Sequence, residues 1–272
     1  MSSIRPKKSL GQHFLRDDRI AKRIVEAMNP AEGDVVLEIG PGEGALTKHL
    51  AETKANLILV DVDDRVIEKM NREYGGRATV LHRDVLEIDP AEIARNGGND
   101  RIRVIGNIPY NITSPILFHF LDRRASVRDM VMMVQREVAR RMVSVPGSKE
   151  YGIVSVFCRW MTDPEYLFEV QPGSFSPPPE VVSSVVRLSV LAASKHVAVE
   201  EAWFRTVVRT AFNQRRKTLR NSLKALAQGT LTGIDPEILS LRPERLEVAQ
   251  FVALANALRK TAVPTGEPND EE

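Results

Sequence analysis

Asn107-Ile108-Pro109-Tyr110 follows a short apolar run, Val104-Ile105. An amide, a proline and an aromatic ring at the end of a strand suit one task, holding a planar amine edge-on while its ring is stacked. The Asn107 side-chain oxygen and the Ile108 carbonyl can each accept a hydrogen bond from an exocyclic amino group. Proline fixes φ and so aims that carbonyl, and Tyr110 offers a π-face to a base. The bland alternative is a plain strand-to-helix turn with Tyr110 capping the core. It loses ground to the company the tetrad keeps upstream.

Glu38-Ile39-Gly40-Pro41-Gly42-Glu43-Gly44 follows an apolar run and opens a helical stretch. Glycines at such a turn let the backbone approach a ligand and take positive φ. The dinucleotide fingerprint has its third glycine one residue later, so that a helix N-terminus meets a pyrophosphate. Here the spacing is Gly-x-Gly-x-Gly, with Glu38 before it and Glu43 within it. Carboxylates repel a pyrophosphate, whereas S-adenosylmethionine brings an ammonium and a sulfonium, so this cofactor is favoured over NAD. Asp61 ends the next apolar run at roughly the 20-residue spacing of a carboxylate that holds ribose hydroxyls. Asp84 ends the run after that, where a carboxylate can accept from an adenine amino group; its bland reading is a helix N-cap. Such groups at successive strand ends mark the crevice in which open α/β sheets bind nucleosides.

The elements that must position them alternate. Asp17 to Met28 reads as an amphipathic helix with Ile20, Ile24 and Met28 on one face. Val35–Ile39, Leu57–Val60, Thr79–Leu81, Val104–Ile105 and Met130–Val134 read as strands, and Ala45–Glu52, Arg65–Arg72, Ser114–Phe120 and Glu137–Val143 as helices. This alternation predicts an α/β fold with a mainly parallel sheet covered on both faces. Tyr166–Val170 and Val181–Val190 read as strands with no helix between them, hence an antiparallel edge. Pro172 to Pro179 between them fits neither helix nor ladder. From about residue 200 the pattern is helical, which suggests a small second, all-α domain. The expected division is 1–195, 196–261 and an acidic, disordered tail over 262–272.

The 272 residues suffice for one large core and one small one. No apolar run approaches the roughly 20 residues of a membrane span, and the N-terminus has no secretory apolar region. Cys158 is the only cysteine, which excludes an intrachain disulfide and fits a reducing, cytoplasmic setting. It lies in an apolar stretch and reads as an inert buried thiol. His13, His49, His82, His119 and His196 lack metal-ligand spacing, so no metal is expected. The net charge of +2 says less than its distribution. Arg205, Arg209, Arg215, Arg216, Lys217, Arg220 and Lys224 fall between Phe204 and Ala225 with no acid among them. Read as a helix, this segment has a basic face and an apolar face carrying Phe212, Leu219, Leu223 and Leu226. RNA-phosphate contact is favoured over a merely solvated face. Arg5, Lys7 and Lys8 make the first residues basic too.

With these pieces placed, the chain resembles the KsgA-type ribosomal RNA adenine dimethyltransferases. The resemblance rests on Lys8-Ser9-Leu10-Gly11-Gln12-His13-Phe14-Leu15, Glu38 to Gly42, Gly106 to Asn111, Gln135-Arg136-Glu137-Val138, Tyr151-Gly152, Phe175 to Pro179, and Arg215 to Asn221. It spans residues 7 to about 260 and draws on both domains. It implies a Rossmann-like class I S-adenosylmethionine-dependent methyltransferase that dimethylates N6 of two adjacent adenosines in a hairpin loop near the 3′ end of 16S rRNA. The implied partner is 16S rRNA within an immature small ribosomal subunit, met by a monomer, with no DNA or membrane partner. His13, Leu15, Gly40, Asp61, Asp84 and Asn107 are implied to contact the cofactor. The position of His13 is more often Asn among relatives, and Asp61 replaces a frequent Glu. Asn107, Pro109 and Tyr110 are the catalytic candidates, with Phe175 as a second ring to stack a splayed-out adenine; the plain role for Phe175 is a hydrophobic plug.

Three other readings compete. A large-subunit methylase of the macrolide-resistance type shares the fold and the tetrad, but Arg215–Asn221 and Phe175–Pro179 look more like the small-subunit enzymes. A DNA adenine methylase would more often carry Asp-Pro-Pro-Tyr and a target-recognition insert. A non-catalytic assembly factor would have no need of Gly40, Asp61, Asp84 and Asn107 together.

Overall fold

The computed structural model describes residues 4–7, 11–191, 200–226, 231 and 233–261. Lys8, Ser9 and Leu10 of the front motif, His196 and the acidic tail lie outside the described residues. The described residues fall into two compact units, one made of those up to Val143 and from Met161 to Leu191, the other of Ser144–Trp160 and those from Glu200 onward.

The first unit is built on a seven-stranded sheet. Its elements are β1 (Phe14–Leu15), α1 (Asp18–Met28), β2 (Val35–Ile39), α2 (Thr47–Leu50), β3 (Asn56–Asp61), α3 (Asp64–Tyr74), β4 (Ala78–His82), α4 (Pro90–Asn96), β5 (Ile102–Asn107), α5 (Thr113–Asp122), β6 (Val127–Gln135) and α6 (Arg136–Val143). After α7 (Ile153–Met161) come β7 (Thr162–Val170), β8 (Phe175–Ser176) and β9 (Ser183–Val190). The strand order is β4-β3-β2-β5-β6-β9-β7. β2 to β6 are mutually parallel, while β9 runs antiparallel to β6 and β7 antiparallel to β9. The mainly parallel sheet with an antiparallel edge therefore matches the sequence reading. Every residue of β2 is buried, as expected of a central strand covered on both faces.

Local chemistry explains the ends of the elements. Asp17 caps α1 through Arg19 N and Ile20 N, and Asn29 ends it in the left-handed region at φ 52°. Between them Ala21, Ile24, Val25 and Met28 are buried at helical spacing. α2 covers only Thr47–Leu50 of the stretch expected to be helical. α4 escapes the sequence reading, although Asp89 as N-cap and Pro90 behind it are its start signal.

At the N-terminal ends of the strands, away from the glycine loop, Arg103 of β5 is buried in a cage. Its Nε and Nη2 meet Asp129 of β6 at 2.8 and 2.6 Å, and Nη1 meets Asp34 at 2.8 Å. It also donates to the carbonyls of Met28 and Asn29, at 2.6 and 3.2 Å. Burial opposes ionisation of Asp34, but the Ala31 N–H, Arg103 and Arg128 outweigh it and hold the carboxyl below its usual range.

The second unit is helical, with α8 (Glu201–Asn213), α9 (Leu219–Ser222), α10 (Pro236–Ser240) and α11 (Val248–Thr261). The segment Ser144–Trp160 groups with it, whereas the sequence reading puts residues 144–160 in the 1–195 domain. Aromatic packing is the reason. Trp160 and Phe157 of α7 meet Phe204 of α8, with ring centroids at 4.3 and 6.1 Å, and the fully buried Tyr151 donates to the Leu246 carbonyl at 3.0 Å. Cys158 is buried here, and burial pushes its thiol up to about 12, the inert state expected of it. No helix among the described residues is long and apolar enough to cross a membrane.

The basic segment is not one helix. α8 stops at Asn213, residues 214–216 form a turn followed by a bend at Lys217, and α9 is a single short turn. Arg205 pairs with Glu201 at 2.8 Å, and Arg215 donates to the Lys149 carbonyl at 2.8 Å with Glu244 at 4.0 Å, so these two arginines brace the unit itself. Arg209, Arg216, Lys217, Arg220 and Lys224 are exposed and have no ion pair among the described residues. Leu219 and Leu223 are buried, in keeping with the apolar face.

Candidate functional site

A cleft of about 240 Å³ opens at the C-terminal ends of β2, β3, β4 and β5. In a parallel sheet this end collects the loops that follow each strand, which is why ligands bind there. Gly40, Asp61, Asp84, Asn107, Pro109, Tyr110 and His13 all line it. The structure thus brings together seven of the residues singled out in sequence.

The glycine loop requires its glycines. Gly40 has φ 63° and Gly42 φ 55°, and a Cβ on Gly42 would lie 2.8 Å from the Phe14 ring. Asp61 ends β3 half-buried, with Oδ1 accepting from Asp63 N at 2.9 Å. Burial raises its pKa above the usual carboxylate value, although the backbone N–H groups of Asp63 and Val62 work against the rise. Asp84 is exposed; its Oδ1 caps the turn that follows by accepting from Leu86 N at 2.9 Å. The N-cap role is therefore real for one oxygen, and Oδ2 takes no hydrogen bond among the described residues.

The tetrad is held from both sides. Asn107 Nδ2 donates to the His13 carbonyl at 2.8 Å, which leaves Oδ1 as its unpaired polar atom among the described residues. Ile108 is buried and its N–H is taken by the Met133 carbonyl of β6 at 3.0 Å. Pro109 leads into a 3-10 turn over Tyr110–Ile112 and then α5. The Tyr110 hydroxyl meets Ser183 Oγ at 2.8 Å, so its ring is fixed in the cleft wall. The His13 ring stacks near Tyr110 with centroids 5.8 Å apart and planes at 22°, and its Nδ1 meets the Pro177 carbonyl at 2.9 Å.

Two expected residues stand elsewhere. Leu15 is buried and lines a smaller hollow beneath the glycine loop. Phe175 is 5% exposed, belongs to the hydrophobic core and does not line the cleft. The reason is the β1–β8 ladder, in which Phe175 lies directly opposite Leu15, so both side chains point to the same, inward face. In this structure Phe175 is the plug, and the second ring near Tyr110 is His13.

The acidic pair at the loop also divides. Glu43 pairs with Arg16 at 2.9 Å and accepts from Ile4 N at 2.8 Å. Glu38 is 1% exposed and takes a hydrogen bond from Thr47 Oγ1 at 2.8 Å. Burial pushes its carboxyl up to about 8, with the Thr47 bond opposing and the Asp61 charge adding to the rise.

Sequence reasoning missed Asp63. Its carboxylate is buried and accepts from Lys7 Nζ at 3.3 Å, Gln12 Nε2 at 3.1 Å and Arg65 Nε at 2.9 Å. Arg65 in turn donates to the Arg5 carbonyl at 2.7 Å. The segment preceding β1 is thereby tied to the turn that follows Asp61. The only readable signal was the N-cap pattern Asp63-Asp64-Arg65 at the start of α3.

The donor set fits a cationic nucleoside cofactor. Among the described residues Arg83 is the only Lys or Arg lining the cleft, against the carboxylates of Asp61 and Asp84, which offers little to a pyrophosphate. Fold and cleft together define a class I S-adenosylmethionine-dependent methyltransferase. A family model described as ribosomal RNA adenine dimethylase matches residues 4–259, and the chain belongs to that family. It is 43% identical to the ribosomal RNA small subunit methyltransferase A of Aromatoleum aromaticum over 94% of this chain and 95% of that one. It is 41% identical to the protein of the same name from Pseudomonas aeruginosa, over 93% and 95% of the two chains. Among solved structures, a dimethyladenosine transferase from Plasmodium falciparum superposes with a TM-score of 0.77 at 24% identity, covering 92% of this chain and 99% of that chain. The 23S rRNA methyltransferase ErmE gives 0.64 at 25% identity, over 90% and 99% of the two chains.

An expected outcome follows for the cofactor. Asp61→Ala should weaken S-adenosylmethionine binding by about 1–3 kcal/mol, the loss of a hydrogen bond to a charged group. Titration calorimetry on the folded variant checks this, and unchanged affinity would remove Asp61 from the cofactor site.

Proposed function

We propose that this protein transfers methyl groups from S-adenosylmethionine to N6 of two adjacent adenosines in the 3′-terminal hairpin loop of 16S rRNA, acting as a monomer on an immature small subunit in the cytoplasm. The observation that carries this reading is Asn107. Its amide nitrogen is tied to the His13 carbonyl, so the free Oδ1 stands in the cleft that Asp61 and Asp84 also line.

The adenine N6 lone pair is delocalised into the ring and is a poor nucleophile. In the first transfer Asn107 Oδ1 and the Ile108 carbonyl accept hydrogen bonds from the two N6–H groups, which lets the nitrogen pyramidalise and frees its lone pair; in the second, one of these acceptors holds the single remaining N6–H. Tyr110, held by Ser183, stacks the extruded base. S-adenosylmethionine supplies the electrophilic methyl group. The protein's part is orientation and electrostatic preference for the altered nitrogen. The alkylated nitrogen is acidic and sheds its proton readily, so no dedicated base is required before attack. Gly40, Asp61 and Asp84 hold the cofactor in this reading, with His13 and Leu15 shaping its surroundings.

Mass spectrometry of rRNA digests tests the reaction. Small-subunit rRNA from cells lacking the gene should lack N6,N6-dimethyladenosine, and restoring the gene should return it. An unchanged dimethyladenosine level would overturn the proposal.

The exposed cations of the helical unit are the proposed partners of RNA phosphates. Replacing Arg216, Arg220 and Lys224 with Ala should weaken RNA binding and flatten its salt dependence, by roughly one unit of slope for each phosphate no longer neutralised. Filter binding across a salt series measures this, and an unaltered slope would make the surface a solvated one.

A further inference from the structure

Glu38 is a carboxyl group whose burial favours its neutral form in the empty protein. It lies two residues before Gly40, and its sheet neighbours are Leu59 of β3 and Ile105 of β5. It is 1% exposed, and the hydrogen bonds it accepts come from the Thr47 hydroxyl and backbone N–H. No cation pairs with it among the described residues. The charged and titratable groups around it are of the wrong sign or already engaged. From β3 comes Asp61, a like charge. From α3 comes Tyr74, whose own pKa is raised by burial and in part by Glu38. Glu43 of the loop is paired with Arg16, and Lys69 of α3 donates to the Glu43 carbonyl and lies 4.0 Å from Glu73.

The group nevertheless borders the cofactor space. The hollow that Glu38 lines is also lined by Phe14, Gly40, Gly42 and Asn107, all four of which line the main cleft. A cation arriving there meets a buried neutral acid whose ionised form it would stabilise, since an opposite charge nearby favours the carboxylate. S-adenosylmethionine carries one net positive charge that S-adenosylhomocysteine lacks.

We infer that Glu38 is a charge-sensing residue of the cofactor site, protonated in the empty protein and giving up its proton to solvent when S-adenosylmethionine binds, so that the cleft prefers the cationic cofactor to its demethylated product. The O–H bond of the Glu38 carboxyl breaks, the proton passes to buffer, and the carboxylate remains as partner to the bound cation. After transfer the sulfonium is a neutral thioether and only the ammonium remains as a cation, so the carboxylate loses the sulfonium's share of its stabilisation, and reprotonation favours product release. The inference rests on the class of cofactor and on nothing assumed about the RNA.

Calorimetry of the full chain at about pH 7, in phosphate and in Tris, reads the proton directly, because the two buffers differ in ionisation heat. S-adenosylmethionine should release close to one proton in the unsubstituted protein, and S-adenosylhomocysteine distinctly fewer. Affinity for S-adenosylmethionine should rise with pH towards about 8, by up to about tenfold per pH unit, since coupling of two binding events is reciprocal. Glu38→Gln keeps the acceptor for Thr47 and should abolish both the buffer dependence and the pH dependence, while narrowing the preference over S-adenosylhomocysteine. Asp61→Asn should bind more weakly and still release the proton. As a check that needs no variant, the infrared band of a protonated carboxyl should vanish when S-adenosylmethionine binds. Equal heats in the two buffers, or proton release that survives Glu38→Gln, would overturn the inference. Failure to bind S-adenosylmethionine at all would instead remove the cofactor assignment of the cleft, a distinct result.

Discussion

Asn107→Ala is expected to lower single-turnover methyl transfer by about a hundredfold or more, by analogy with removal of one preorganised polar group from a transition-state site. The proposed bonds from N6 strengthen as the nitrogen pyramidalises, so the loss belongs to the transition state more than to the ground state. RNA affinity should barely change, because most of it comes from phosphates gripped elsewhere. The substitution also frees the His13 carbonyl from its 2.8 Å bond, so the assay must run at saturating S-adenosylmethionine. Rapid-quench measurements on an immature small subunit would show the effect. Tyr110 gives the contrasting case. Tyr110→Ala should weaken capture of the flipped base, whereas Tyr110→Phe loses only the bond to Ser183 and keeps the stacking face. Methylation at the normal rate by a folded Asn107→Ala protein would defeat the mechanism.

The second large effect is on stability. Arg103→Ala should destabilise the protein by about 3–5 kcal/mol, the range for removing one partner from a buried ion pair. Asp129 and Asp34 would then be left as buried carboxylates, and the carbonyls of Met28 and Asn29 would lose a donor. The loss is a large share of the roughly 5–15 kcal/mol that holds a domain folded. Arg103→Lys should recover only part of it, since an ammonium cannot reproduce the planar fork that reaches both carboxylates and both carbonyls. Urea unfolding followed by circular dichroism measures the difference. A midpoint unchanged by Arg103→Ala would mean that the cage contributes no net stability.

Much of the architecture was legible because it is local. Strand ends, the glycine loop and helix caps are decided by residues a few positions apart, which is why the sequence alone assigns Gly40, Asp61, Asp84 and Asn107 to the ends of successive strands. A parallel sheet then has little freedom, because right-handed crossovers bring all those ends to one side. The basic segment shows the limit of periodicity. Its apolar positions Leu219 and Leu223 are indeed buried, but the chain turns over 214–216 and bends at Lys217, and two of its arginines brace their own unit.

By itself, then, the amino-acid sequence determined the sheet, the family and the residue types gathered at the cleft. Tertiary structure alone decided which groups face one another across long stretches of chain. His13 reaches the Pro177 carbonyl across 164 residues and Asn107 reaches His13 across 94. The short ladder between β1 and β8 turned Phe175 into the core, and Phe204 drew α7 into the helical unit. Asp63 and Arg103 gather donors and acceptors from segments with no sequence proximity. The charge state of Glu38 belongs to the same class, because it depends on exclusion of water and on the lack of a cation beside it among the described residues. Periodicity, caps and turns encode the conformation of neighbours along the chain, whereas burial and charge pairing are properties of neighbours in space.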